Sequence, residues 1–199
     1  MNIENHKYHH GNLRDEILTA AYNFVLENGY AAMSLRSIAE NCNVSATAIY
    51  RHYKTKEHLL ADVVVKGFIE FNLFVEGDSE ANIFDKCDNY LEFAFDNKNI
   101  YDLLFSQSVV EFLQFPNILE VADSSFQTLL ESVKDHDRSL NDLSASNKAI
   151  HIWSFLHGIS SISKKMDVAL SLPDSEMPIP VRSVKRARSN LRQFIEDLF

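Results

Sequence analysis

The stretch "SLRSIAENCNVSATAIYRHYKTKEHLL", residues 34–60, decides how the chain is read. Ser34 is a good N-cap for a short helix that turns Leu35, Ile38, Ala39 and Cys42 inward. Asn43 tolerates the left-handed conformation that a tight turn needs. Ser45 then caps a second short helix in which Ile49 and Tyr53, four residues apart, share one face. Two short helices across a tight turn, with Ala39 small enough for close approach, predict a helix-turn-helix. The outward side of the second helix keeps Thr47, Tyr50, Arg51, Lys54 and part of His52, which are mostly hydrogen-bond donors. Tyr and His donate to phosphate oxygens, Lys neutralises phosphate as a point charge, and a helix fits the width of a DNA major groove. A solvated helix face is the plain alternative for such a composition.

The remainder of the chain frames this patch. Its 199 residues carry a net charge of −9, and the four prolines and five glycines leave few helix breakers. Residues 1–60 balance six Lys/Arg against six Asp/Glu, so the whole excess of acid lies beyond them. The head is therefore the end least repelled by a polyanion. Cys42 and Cys87 have neither CxxC spacing nor further thiols, which predicts no zinc site and no disulfide framework. The polar N-terminus lacks an apolar signal core and no apolar run approaches the roughly 20 residues of a membrane span, so a cytoplasmic protein is expected.

Helical periodicity recurs along the chain and no strand-like alternation competes with it. Residues 12–29 read as a helix capped by Asn12, with Asp15 and Glu16 in the first turn, Leu13, Ile17, Ala20, Ala21 and Phe24 inward, and Gly29 as a left-handed stop. From Thr55 a helix of about 20 residues runs to Gly77 and links head to body. Further helices are expected near 80–96, 99–106, 108–114, 117–135, 142–171 and 181–198, with breaks at Pro116 and in "LPDSEMPIP" at 172–180.

The order and spacing of Ala21, Gly29, Ser34, Ile38, Ala39, Val44, Ser45, Ile49, Tyr50, His52, Tyr53, Lys56 and Leu59 resemble the DNA-binding head of the TetR family of bacterial transcriptional regulators. Asn43 stands where that pattern has glycine, and Tyr53 where it has phenylalanine. "YHHGNLR" at 8–14, with Trp153, His157 and Gly158 in "HIWSFLHGI", resembles the subgroup whose ligand domain is named for a Trp…His-Gly signature.

The resemblance implies an all-α chain of about nine helices. Residues 1–54 would be arm and helix-turn-helix domain, 55–76 a connecting helix, and 77–199 a ligand-binding and dimerisation domain. It implies phosphate contacts from Ser34 and Arg36, and an approach of Ser45, Ala46, Thr47 and Ala48 to base edges. Tyr50, His52, Lys54 and Lys56 complete the expected DNA-binding set. With few long polar readers, specificity would come largely from shape and apolar contact. A homodimer on a pseudo-palindromic operator, responding to a small-molecule effector, is the expected working form, because two heads about 34 Å apart multiply weak contacts.

In the body, large aromatics at helical spacing are most simply core. Cavities between bundled helices are lined in the same way, which makes Phe93, Tyr101, Phe105, Phe112, Phe126, Trp153 and His157 the candidates for effector contact. The amphipathic C-terminal segment is either a solvated face or, with the preceding long helix, a four-helix dimer interface. The interface candidates are Phe155, Gly158, Ile159, Ile162, Val184, Leu191, Phe194 and Ile195. His6, His9 and His10 lack the fixed geometry of a metal site, and Lys7, His9 and His10 are expected to form an arm that either orders on DNA or stays disordered. No cofactor is implied. GxSxG, HExxH and phosphate-binding glycine loops are missing, which argues against an enzyme. A helical adaptor acting through protein partners is the remaining rival, favoured only by the acidic body.

Overall fold

The computed structural model describes residues 13–105 and 115–199. It contains α1 (Leu13–Asn28), a 3₁₀ turn (Tyr30–Ala32), α2 (Leu35–Asn41), α3 (Ala46–His52), α4 (Lys56–Glu76), α5 (Ile83–Asp96) and α6 (Lys98–Leu104). It continues with α7 (Pro116–His136), α8 (Asp142–Lys165), α9 (Asp167–Leu170), α10 (Ile179–Ser189) and α11 (Leu191–Glu196). The fold is all-α. Among the described residues there are eleven helices rather than about nine, because two expected long helices are each broken. Asn12 and the helix expected at 108–114 lie outside the described residues.

The described chain divides into two compact units. One runs up to Gly67 and takes in Asn99–Ile118; the other comprises Phe68–Lys98 and Leu119–Phe199. The division thus falls inside α4, between Gly67 and Phe68, and assigns α6 from Asn99 onwards to the head unit. This division by packing differs from the expected one at 54/55 and 76/77, which follows function rather than contacts: α4 packs with the head over its first half and with the other unit over its second.

In the head unit α1 buries Ile17, Ala21, Tyr22 and Val25, a rhythm close to one helical face. Ile38, Ala39, Ile49, Leu59, Leu60, Val63 and Val64 complete this core with Ile100, Leu103 and Leu104 of α6. A Cβ on Gly67 would lie 3.0 Å from Leu104 Cδ2 and 3.3 Å from Ile100 Cγ2, so glycine is what lets α6 lie close on α4. Asn99 Nδ2 donates to the Leu26 carbonyl at 3.0 Å and so fastens α6 to the last turn of α1. Gly29 ends α1 with φ 77° and ψ 156°, a region essentially reserved for glycine but not the left-handed helical stop expected of it.

The other unit is built around α5 and α8. Asn82 caps α5 with a reciprocal bond to Asp85, and Ile83, Phe84, Cys87, Tyr90, Leu91 and Ala94 form its inward face. On α8, capped by Asn141, Ala145, Ala149, Ile152, Leu156 and Ile159 advance by steps of three and four residues. α5 packs on α8 and α11, and α8 on α10.

Asn43 adopts φ 53° between α2 and α3, as the sequence predicts. Replacing it by alanine is expected to cost about 1 kcal/mol, the penalty for a Cβ in that region, whereas glycine is close to neutral. Chemical denaturation of Asn43→Ala and Asn43→Gly checks this ordering.

Candidate nucleic-acid interface

The helix α3 is held by its caps and by one buried side. Ser34 accepts from Ser37 N at 3.1 Å, while Ser37 Oγ accepts from Ser34 N at 3.0 Å, closing a capping box at the start of α2. The turn is then clasped by Val44 N donating to the Ala39 carbonyl at 3.0 Å. Ser45 caps α3 by accepting from Ala48 N at 3.2 Å. Ile49 is fully buried and Tyr53, at the C-cap, is 2 % exposed. That register turns the opposite side of α3 to solvent, where Tyr50 remains 55 % exposed.

Eight of the ten predicted DNA-contact residues are exposed: Ser34, Arg36, Ser45, Ala46, Thr47, Tyr50, His52 and Lys54. Ala48 and Lys56 are half-buried. Arg36 Nε lies 3.3 Å from Glu40 Oε1, an exposed pair that contributes little to stability. Ser34 is committed first to its cap, although a hydroxyl retains a second lone pair. Lys56 Nζ donates to the Ala31 carbonyl at 3.3 Å, a protein partner the sequence did not reveal. An ammonium has three donors, so this bond fixes where Lys56 sits without using it up.

Beneath α3 lies a polar cluster that sequence reasoning missed. The Tyr53 hydroxyl donates to Asp62 Oδ2 at 2.8 Å. Arg14 donates to the same carboxylate oxygen at 2.8 Å, directs Nε to the Tyr53 oxygen at 3.4 Å, and lays its guanidinium 5.2 Å from the ring centroid. Arg14 belongs to α1 and Asp62 to α4, 48 positions apart in sequence, so no local spacing announces the pairing. The hydrogen bond to Asp62 is the main reason the Arg14 guanidinium is held above its ordinary range.

Burial, reinforced by Asp62, pushes the Tyr53 phenol up from 10.0 to about 12. The folded head thus keeps that proton after the unfolded chain has released it. Its contribution to stability is complete below pH 10 and is lost as pH rises through about 12. Burial likewise pushes Cys87 up from 9.0 to about 12. Thermal midpoints are therefore expected to fall between pH 9 and 12, and to fall less in Tyr53→Phe.

The candidates in the rest of the chain separate. Tyr101 and Phe105 belong to the head unit, with ring centroids 4.6 Å apart. Phe93, Phe126, Trp153 and His157 belong to the other unit, and Phe112 lies outside the described residues. Phe93 is buried and packs edge-on to Phe71 at 5.1 Å. Trp153 and His157 stack at 5.9 Å on α8, where burial lowers the imidazole below its ordinary 6.5.

Of the predicted interface residues, Ile159, Val184, Leu191 and Ile195 are buried within the protomer. Phe194 and Ile162 stay 44 % and 42 % exposed, Phe155 stacks on Phe194 at 5.5 Å, and nothing lies within 4 Å of a Cβ built on Gly158. Among the described residues no group of three His, Cys, Asp or Glu side chains suits a metal, and no helix is long and apolar enough to cross a membrane. His6, His9 and His10 lie outside the described residues.

Residues 17–63 match the family described as "Bacterial regulatory proteins, tetR family", and residues 83–176 match "Tetracyclin repressor-like, C-terminal domain". No curated protein matches the chain. Among solved structures, a protein with unknown function from Rhodococcus sp. RHA1 is similar at a TM-score of 0.67 and 20% identity, over 92% of this chain and 95% of that one. The transcriptional regulator FadR from Bacillus subtilis, in complex with stearoyl-CoA, gives 0.61 and 19%, over 88% and 97%. BioQ with its double-stranded DNA operator gives 0.56 and 12%, again over 88% and 97%. At these identities the structural likeness speaks for the fold alone. The two sequence matches take in both the helix-turn-helix and the C-terminal helices, and by them the chain belongs to the tetR family of bacterial regulatory proteins.

Proposed function

We propose that the protein is a homodimeric repressor that binds a pseudo-palindromic operator through α3 and is released by a small-molecule effector held in its C-terminal unit. The observation that carries this reading is the division of α3 into a buried side, Ile49 and Tyr53, and an exposed side of donors and small residues, Ala46, Thr47, Tyr50 and His52. Small residues let a helix approach base edges closely, and Thr47 both hydrogen-bonds and touches a thymine methyl. Tyr50, His52, Lys54 and Lys56 supply the phosphate contacts. BioQ was solved on its operator and FadR with an acyl-CoA, which supports both halves of the reading by analogy of fold.

One seven-residue helix makes too few contacts for tight binding, so the operator is read by two heads. Phe155, Ile162 and Phe194 around Gly158 form the face on which a second copy packs. Ile159, Val184, Leu191 and Ile195 support that face from inside the protomer. Phe194→Glu is expected to halve the mass measured by light scattering, because a charge at a self-complementary interface meets its own copy. Effector release is a population shift: a ligand that prefers the state unable to grip DNA lowers operator affinity by its differential affinity alone. A mobility-shift titration on fragments of the gene's own promoter region tests the proposal; retention of a fragment at low salt supports it, and no shift on any fragment contradicts it.

A further inference from the structure

Tyr53 does more than pack. Its ring fills the head core as a phenylalanine would, yet its hydroxyl joins Asp62 of α4 at 2.8 Å and meets Arg14 of α1 at 3.4 Å. α3 is seven residues long and contains one buried side chain, Ile49. Ile49 and the Tyr53 ring hold it at two apolar points. Apolar contact is non-directional, so such points decide which side of the helix is buried but set its roll only coarsely. Hydrogen bonds to a charged acceptor are short and directional, which is what a roll angle needs. The Asp62 carboxylate is itself fixed by Arg14, whose guanidinium also covers the Tyr53 ring at 5.2 Å.

We infer that Tyr53, acting with Asp62 and Arg14, is a positioning residue for sequence recognition: the cluster sets the roll of α3 so that Ala46, Thr47 and Ala48 face base edges in register. The inference rests on the operator-binding reading of α3. Its consequence is selective. Phosphate contacts come from several elements on flexible side chains and tolerate a small roll, whereas base-edge contacts from Ala, Thr and Ala have no reach with which to compensate. Loss of the cluster therefore lowers discrimination between operator and other DNA, with little change in non-specific grip.

The test compares the full-length wild type with Tyr53→Phe, Asp62→Asn and the double variant, titrated on the operator duplex and on an unrelated duplex of equal length. All are measured at a temperature where melting curves show each protein folded. Tyr53→Phe keeps the ring and the net charge. Its operator affinity is expected to fall about three- to tenfold, the loss of one net hydrogen bond, while affinity for the unrelated duplex stays within about twofold. Asp62→Asn removes a negative charge, which alone would tighten both duplexes alike. The positioning role predicts instead that the ratio of the two affinities falls as in Tyr53→Phe. The double variant is expected to fall no further than the worse single one, because both changes disable one device. An unchanged ratio in both single variants, or a parallel loss on both duplexes, overturns the inference while leaving operator binding intact. A wild type that binds neither duplex overturns the operator reading and the inference with it.

Discussion

Thr47→Glu is expected to abolish operator binding, weakening it by roughly two orders of magnitude or more while the melting curve stays unchanged. Thr47 lies at the second position of α3 on the exposed side, so glutamate there is solvated in the free protein and costs the fold almost nothing. Against DNA the same side chain loses a base-edge contact of about 1–3 kcal/mol and brings a carboxylate towards phosphates, where like-charge juxtaposition costs several kcal/mol more. Tyr50→Ala, which removes a donor without adding charge, should lose about tenfold, close to 1.5 kcal/mol for a hydrogen bond to an ionised group. Fluorescence anisotropy on labelled operator separates the two magnitudes. Equal, small effects would mean that the exposed side of α3 is not the reading face.

Ile49→Ala should act on stability first and on DNA second. Ile49 is completely buried between the elements of the head and is the one buried side chain within α3. Truncation removes its transfer free energy and leaves a cavity, together about 2–5 kcal/mol. For a chain of this size that lowers the melting temperature by roughly 5–15 °C. Operator binding should be lost over the same temperature range. Ile49→Val, costing about 0.5–1.5 kcal/mol, should bind normally at low temperature. Calorimetry beside the anisotropy titration shows whether binding follows folding, as expected here, or is lost while the protein is still folded.

The head was legible to unusual depth because its signals are local. Ser34 and Ser45 cap the helices they precede, Asn43 takes the positive φ its type tolerates, and Ile49 with Tyr53 turns inward as four-residue spacing demands. The breaks in the body carry weaker marks. At Met166 the backbone N–H divides between the Ile162 and Ser163 carbonyls with no glycine or proline nearby. At Asn190 the side chain donates to the Arg186 carbonyl at 2.9 Å, a local competition that composition alone does not resolve.

The residues expected at a dimer interface show the limit of periodicity. Phe194 and Ile195 are adjacent apolar residues about 100° apart on a helix, and only packing reveals that Ile195 belongs to the protomer's core and Phe194 to its surface. Four-residue spacing marks Tyr53 as inward but carries no sign of its polar partners, because Arg14 and Asp62 stand in different helices, far apart in sequence. The bond of Lys56 to Ala31 is not legible in the sequence because it depends on how the 3₁₀ turn folds back towards α4.

If an acidic chain binds specific DNA through the small basic and aromatic side of α3, titration of the wild type on operator and on an unrelated duplex across a salt series must separate the two duplexes. Operator affinity is expected to exceed the other by at least about a thousandfold. The logarithm of each binding constant should fall linearly with the logarithm of salt, by about 0.9 for every phosphate neutralised, with contacts from both heads. Equal affinity for the two duplexes, or binding that salt does not weaken, would mean that α3 is not a DNA-reading helix.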